Sequence, residues 1–130
     1  MKYVVLSFDD GRIDFRDNVI PILNKYNIKV TLNVVSGFSD RTVHNDDFKT
    51  VSYDDIIKIS KQGHEIAAHS NSHMCSQTND DFLLSIKKLN SLPLSTLVKG
   101  GANPYNQPLN DDLEYKLFNQ CNFKYFRLGE

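Results

Sequence analysis

The sequence predicts an α/β fold with one parallel sheet, and three observations support this class. Short runs of apolar and β-branched residues alternate with longer segments whose apolar residues recur at helical spacing. Glycine, proline or polar cap residues separate the two kinds of segment. The chain has 130 residues, of which 40% are hydrophobic and 24% charged. This length predicts a single domain over residues 1–130, without a second core.

Five segments are predicted to be strands because each is short and rich in apolar, β-branched or aromatic residues. They cover residues 3–8, 29–35, 64–68, 96–99 and 123–128. The first of them is expected to be a buried strand. The polar segments 36–50 and 100–108 are predicted to be loops, because glycine and other turn-forming residues interrupt them.

Four segments are predicted to be helices, because their apolar residues are spaced by three and four. They cover residues 18–26, 53–62, 80–92 and 110–120. Ser52 is expected to cap the second helix and Thr78 or Asn79 the third, while Gly63 ends the second. The resulting order, βαβαβαβαβ, predicts a parallel sheet with right-handed crossovers.

Charge and apolar content exclude several classes of partner. The net charge is −1 and the isoelectric point is near 6.4, so no basic face is expected to bind nucleic acid. No run reaches the roughly 18 apolar residues of a membrane span, and the apolar start is too short for a signal peptide. The chain as written is therefore expected to be cytoplasmic. Cys75 and Cys121 are unclustered and are predicted to stay free.

Two polar clusters directly follow predicted strands. Residues 7–11 read Ser-Phe-Asp-Asp-Gly, and residues 69–73 read His-Ser-Asn-Ser-His. Parallel strands bring their C-terminal ends to one face, so these clusters are expected to meet. One aspartate and two histidines suit Zn²⁺, Co²⁺ or Ni²⁺ better than Ca²⁺ or Mg²⁺, and a second carboxylate is left beside them. The two histidines, four residues apart, would share a helix face if their turn is helical.

These clusters resemble the first two motifs of the polysaccharide deacetylases, the NodB-type enzymes of carbohydrate esterase family four. The segments 20–31 and 63–69 are similar to the flanks of those motifs, and residues 101–106 (Gly-Ala-Asn-Pro-Tyr-Asn) align with the third motif, commonly Arg-x-Pro-Tyr-Gly. The resemblance covers nearly the whole chain in the family's order. It implies an incomplete or distorted (β/α) barrel of about five parallel strands.

The resemblance also implies roles for individual residues. Asp10, His69 and His73 would bind a divalent transition metal, most simply zinc, and Asp9 would be the general base that activates water. The backbone N–H of Tyr105 would stabilise the oxyanion, and Pro104 with Tyr105 would contact the sugar. The implied reaction is hydrolysis of N-acetyl groups on a glycan that contains N-acetylglucosamine, with release of acetate. The implied partner is therefore a carbohydrate.

The chain departs from the family pattern at two places. Ala102 stands where many relatives have an arginine that orients the catalytic aspartate. The C-terminal part of the family's barrel, with the general-acid histidine of a Leu-x-His motif, has no match in residues 1–130. A surrogate role for His44 is one hypothesis, and a second copy of the chain is predicted to cover the open edge of the barrel.

Two alternative functions follow from the same residues. A catalytically impaired module that binds metal or carbohydrate, or a fragment of a deacetylase, would explain the missing acid. A phosphorelay receiver domain has a similar length and βα order. That domain, however, needs a phosphoacceptor aspartate at the end of its third strand, where Ala68 and His69 stand here.

Overall fold

The computed structural model describes residues 1–39, 49–75 and 78–128, and its centre is one sheet of five parallel strands. The strands neighbour one another in chain order. They are β1 (Ser7–Phe8), β2 (Thr31–Val34), β3 (Glu65–Ala68), β4 (Gly100–Ala102) and β5 (Tyr125–Arg127). The sheet curls into half of a barrel, with helices on its outer side. The predicted parallel α/β fold is therefore confirmed.

Helical segments connect successive strands. They are α1 (Ile20–Lys25), α2 (Ser36–Ser39), α3 (Tyr53–Lys61), α4 (Asn79–Asn90) and α5 (Asp111–Tyr115). A π-helical turn, Phe15–Val19, precedes α1, and another, Lys116–Gln120, extends α5. Ser52 begins α3 through a reciprocal capping box with Asp55, and Thr78 caps α4 through the amide of Asp81. The two predicted caps are therefore confirmed.

The first strand is shorter than the prediction of residues 3–8. Only Ser7 and Phe8 pair with β2, and Tyr3, Val4 and Val5 are each at least 80% exposed. The prediction of a fully buried strand was wrong. Thr31, the first residue of β2, donates its N–H to the carbonyl of Leu6. Residues before Leu6 therefore extend past the start of the neighbouring strand.

The fourth strand lies later in the chain than predicted. It covers Gly100–Ala102, which sequence patterning assigns to a loop, whereas residues 96–99 precede it. Small residues are required here because a Cβ atom on Gly100 would lie 2.2 Å from the ring of Tyr125. The prediction placed this strand too early because it followed the apolar run at residues 96–99. Gly100 pairs with Tyr125, and Ala102 pairs with Arg127.

The hydrophobic core lies between the outer face of the sheet and the helices. Its fully buried apolar side chains come from β2, β3 and three helical segments; they include Leu32, Val34, Ile56, Ala68, Phe82, Leu89 and Leu117. Both cysteines are free, as predicted. Within the described ranges, no helix is long and apolar enough to cross a membrane. The predicted loop 36–50 begins with α2, and His44 lies outside the described residues.

His64 is a buried histidine whose titration should affect stability. Its side chain is 3% exposed and its ring meets the ring of Phe15 edge-on, with 6.5 Å between centroids. Burial, and secondarily the charge of Lys29, lowers the pKa of its imidazole. As the pH falls below the unfolded-state pKa of about 6.5, the unfolded chain therefore takes up a proton before the folded chain does.

The variant His64→Leu is expected to weaken the acid sensitivity of folding. The wild-type free energy of unfolding should fall, through this group, by at most about 1.4 kcal/mol per pH unit below about pH 6.5. Urea unfolding of both proteins at about pH 7.5 and pH 5.5 measures the difference. Identical pH dependence in the two proteins would show that His64 titrates normally when folded.

Candidate metal centre and active site

Three predicted ligands meet at the C-terminal edge of the half-barrel. Asp10 follows β1, and its Oδ1 lies 3.4 Å from His69 Nε2 and 3.0 Å from His73 Nε2. One ligand atom from each residue lies within 4.8 Å of the other two. Asp10 reaches this position because it has a φ angle of 72° and is followed by Gly11 at 65°. The clusters after β1 and β3 therefore converge, as their positions predicted.

The orientation of His69 leaves one ring nitrogen free to bind a metal. The residue follows β3 and is 3% exposed. Its Nδ1 lies 2.8 Å from the backbone carbonyl oxygen of Ala102 on β4. A carbonyl only accepts hydrogen bonds, so Nδ1 carries the proton and Nε2 points toward Asp10. This pairing is the usual arrangement of a metal-binding histidine.

His73 reaches the same point through an irregular turn. Ser70 and His73 have φ angles of 63° and 53°, and the N–H of His73 donates to Ser70 Oγ at 3.0 Å. The helical face considered for the two histidines was therefore wrong. The short hydroxyl side chain satisfies a backbone donor locally, which favours a tight turn over a helix.

Asp81 holds this turn from the first turn of α4. Its Oδ2 accepts hydrogen bonds from the N–H groups of Asn71 and Ser72, at 3.1 and 3.2 Å. On the opposite side, Gly37 donates its N–H to the carbonyl of Asn71 at 2.9 Å. A Cβ atom on Gly37 would lie 2.3 Å from that carbonyl oxygen, so only glycine allows the approach.

The electrostatics of the three ligands fit a divalent transition metal. The two imidazoles beside it, first that of His69 and then that of His73, hold the pKa of the Asp10 carboxyl well below its usual range. One anionic oxygen and two neutral ring nitrogens match the ligand preferences of zinc, cobalt and nickel. The residues present therefore form a potential metal-binding triad.

Asp9 is held apart from the triad, although it is adjacent to Asp10 in sequence. Its Oδ1 accepts a hydrogen bond from Asn33 Nδ2 at 2.9 Å, and its Oδ2 accepts one from Arg127 Nη2 at 2.5 Å. The side chain is 35% exposed. Two neighbouring carboxylates thus have different partners, which makes separate chemical roles possible.

The predicted third motif lies at the rim of this site. A short turn of 3₁₀ helix, Pro104–Asn106, follows β4, and Tyr105 has a φ angle of 55°. The ring of Tyr105 lies 4.9 Å from that of His73, and the residue is 60% exposed. Pro104, the first residue of this turn, is buried. Substrate contact by either residue stays a prediction.

Sequence patterning missed Asn33, Arg127 and Asp81. Asn33 on β2 and Arg127 on β5 lie on the inner side of the half-barrel, where both contact Asp9. The polar residues Thr31 and Asn33 alternate with Leu32 and Val34, which is the signal that could have identified an inward polar face. Asp81 resembles any acidic residue in the first turn of a helix.

Removal of the Asp81 carboxylate is expected to weaken metal binding. In Asp81→Ala, two amides of the histidine turn lose their acceptor, so we expect metal affinity to fall by about 10- to 100-fold. Isothermal titration of the metal-free protein with Zn²⁺ measures this effect. Asp80→Ala is the matched control, because Asp80 lies in the same helical turn and is exposed. Equal affinities in the two variants would exclude the support role of Asp81.

Comparison with known proteins identifies a family model and several solved structures. The model described as polysaccharide deacetylase matches residues 1–91. The chain is similar to the deacetylase PplD of Streptococcus pyogenes in complex with acetate, with 25% identity and a TM-score of 0.77 over 89% of this chain and 53% of that one. A search of curated proteins gave no match.

Two further structures share the fold. A family 4 acetyl xylan esterase of Clostridium thermocellum, in complex with a cobalt ion, has 30% identity and a TM-score of 0.63 over 96% of this chain and 57% of that one. IcaB of Ammonifex degensii has 18% identity and a TM-score of 0.77 over 89% of this chain and 57% of that one. The chain thus spans little more than half the length of these structures. The predicted incomplete (β/α) barrel is confirmed.

Proposed function

This chain belongs to the polysaccharide deacetylase family, and from that premise we propose a metal-dependent hydrolase that removes N-acetyl groups from a glycan containing N-acetylglucosamine. Acetate and a free amine on the sugar are the products. The observation that carries the proposal is the pairing of a metal-ligand triad with a separately held carboxylate, Asp9, at one edge of the sheet.

Asp10, His69 and His73 would hold the metal. When bound, the metal supplies a Lewis acid that polarises the acyl oxygen and lowers the pKa of water to about 7. The ligand set favours zinc, with cobalt and nickel as the other candidates. The Clostridium thermocellum esterase, whose structure is in complex with a cobalt ion, supports a divalent transition metal as the bound ion.

Asp9 would accept the proton from the attacking water. Asn33 and Arg127 each occupy one side of its carboxylate, and each oxygen can accept a second hydrogen bond. Because the side chain is 35% exposed, water can reach it. A positioned base of this kind contributes about 10²- to 10⁴-fold to a hydrolytic rate.

Tyr105 and Pro104 would contribute to binding the reacting group. We assign the backbone N–H of Tyr105 to the oxyanion that develops on the acyl group, a contact worth about 3–4 kcal/mol in related acyl transfers. The exposed ring of Tyr105, beside His73, offers an apolar surface to a sugar ring. Pro104, which is buried, would shape the loop that presents Tyr105.

Acetate release from acetylated chitooligosaccharides tests the proposal. Zinc-loaded protein should release acetate, and the same protein treated with a chelator should not. Acetylated xylooligosaccharides, run in parallel, separate amide from ester hydrolysis. If protein that holds zinc releases no acetate from either substrate, the assignment as a hydrolase is wrong, and a module that binds metal or carbohydrate is favoured. Release from xylooligosaccharides alone would change the proposed substrate from an amide to an ester.

A second copy of the chain remains our proposal for covering the open half-barrel. Tyr3, Val4 and Val5 are exposed beside the β1 edge, which supports association through this side. Light scattering over a range of protein concentrations tests this point. A monomer at every concentration would exclude it.

A further inference from the structure

We propose that Arg127 is the positioning residue that orients Asp9. This inference rests on the proposed function, in which Asp9 is the base. Arg127 Nη2 donates to Asp9 Oδ2 at 2.5 Å, and Nη1 donates to Ser7 Oγ at 3.1 Å. The guanidinium on β5 therefore binds Ser7 of β1 and Asp9, which follows β1, from the opposite edge of the sheet.

The contact joins the two edges of the half-barrel. β1 and β5 are the first and last strands of the sheet, and Arg127 lies 118 residues after Asp9 in the chain. The sheet must curl for their side chains to meet. Arg127 is thus placed by the curvature of the fold, and not by any neighbour in sequence.

Asn33 and Arg127 together define the plane of the Asp9 carboxylate. Each donates to a different oxygen, one from β2 and one from β5. A carboxylate held at both oxygens by a charged and a neutral donor loses its rotational freedom. Exposed fractions of 41% for Arg127 and 35% for Asp9 limit what the ion pair adds to folding. Its main effect is therefore on orientation.

The pairing of β4 with β5 leaves room for this arginine. Arg127 is the register partner of Ala102, so their Cα atoms lie about 4.8 Å apart across the sheet. Ala102 is buried and has only a methyl side chain. Ala102 is also the position at which the third-motif resemblance places an arginine. Here the neighbouring strand supplies the guanidinium.

Steady-state kinetics of Arg127→Ala test the proposal. We expect kcat for acetate release to fall by about 10- to 100-fold with little change in KM, because misplacing the base affects the reaction more than binding. Zinc affinity should stay within about twofold of wild type, because Arg127 contacts none of the triad. Millimolar guanidinium added to the assay should restore part of kcat, and Arg127→Lys should retain an intermediate rate.

Arg16→Ala is the matched control. Arg16 also forms a half-exposed ion-pair network, with Asp17 and Asp55, on the outer helices. Its removal should leave kcat unchanged and unresponsive to guanidinium. An unchanged kcat in Arg127→Ala would overturn the positioning role. A loss of kcat that guanidinium does not restore, and that Arg16→Ala reproduces, would overturn it as well.

A double-mutant cycle separates this inference from the proposed function. If the wild-type protein releases no acetate, the proposed function fails, and unfolding of Asp9→Ala, Arg127→Ala and the double variant still tests the contact. We expect the two substitutions to be non-additive by about two- to fivefold in the unfolding equilibrium constant. Additive effects would show that Arg127 does not hold Asp9.

Discussion

Asp9→Asn is expected to bind zinc as tightly as the wild-type protein and to lose acetate release by about 10²- to 10⁴-fold. The amide preserves the size of the side chain and can still accept a hydrogen bond, but it cannot take a proton from water. The carboxylate of Asp9 accepts hydrogen bonds from Asn33 and Arg127, whereas the carboxylate of Asp10 faces His69 and His73. The measurement is kcat on acetylated chitooligosaccharides, alongside a zinc titration.

Asp14→Asn provides the control for a lost charge near this position. Asp14 is an exposed carboxylate that pairs with Arg12 and lies outside the proposed site. Its substitution should change kcat by less than about twofold. Full activity in Asp9→Asn would show that another group takes the proton, and a large loss of zinc affinity would place Asp9 among the ligands.

His69→Ala is expected to abolish measurable zinc binding. The substitution removes a buried ligand and leaves two ligands, Asp10 and His73, and it takes the imidazole partner from the backbone carbonyl of Ala102. The loss should exceed the roughly 100-fold effect of removing a supporting group. Competition with a chromophoric chelator measures the affinity, and circular dichroism establishes that the variant is folded.

His64→Leu is the matched control for the loss of a buried histidine. Its ring lies against Phe15 and is not part of the triad, so zinc affinity should match the wild type. Unaltered zinc binding in His69→Ala would remove His69 from the metal site. Equal losses in both variants would point to a general effect of burial on folding.

Local sequence patterns predicted the order of strands and helices and the convergence of Asp10, His69 and His73. These features depend on hydrophobic periodicity and on the rule that parallel strands end at one edge. The predicted start of β1 and the predicted position of β4 were wrong. Pairing with a neighbouring strand decides both, because Ser7 is the first residue paired with β2 and Gly100 accommodates the ring of Tyr125.

The surroundings of Asp9 could not be predicted in the same way. Arg127 contacts Asp9 only because the sheet curls, and curvature leaves no periodic signal in a single sequence. Asn33 alternates with apolar residues, which indicates an inward polar face but does not identify Asp9 as its partner. The turn that carries His73 depends on positive φ angles at Ser70 and His73. Serine and histidine seldom adopt this conformation, so the sequence does not predict it.

The bond from His69 to the main chain of β4 makes the metal ligand independent of the side chain at position 102. Every amino acid offers the same carbonyl, so a substitution there leaves the acceptor in place as long as the strand keeps its pairing with β3. The orientation of the imidazole is thus robust to point mutation at its own partner. It is vulnerable instead to a slip of one residue between β3 and β4, which would replace one carbonyl by another at a different depth.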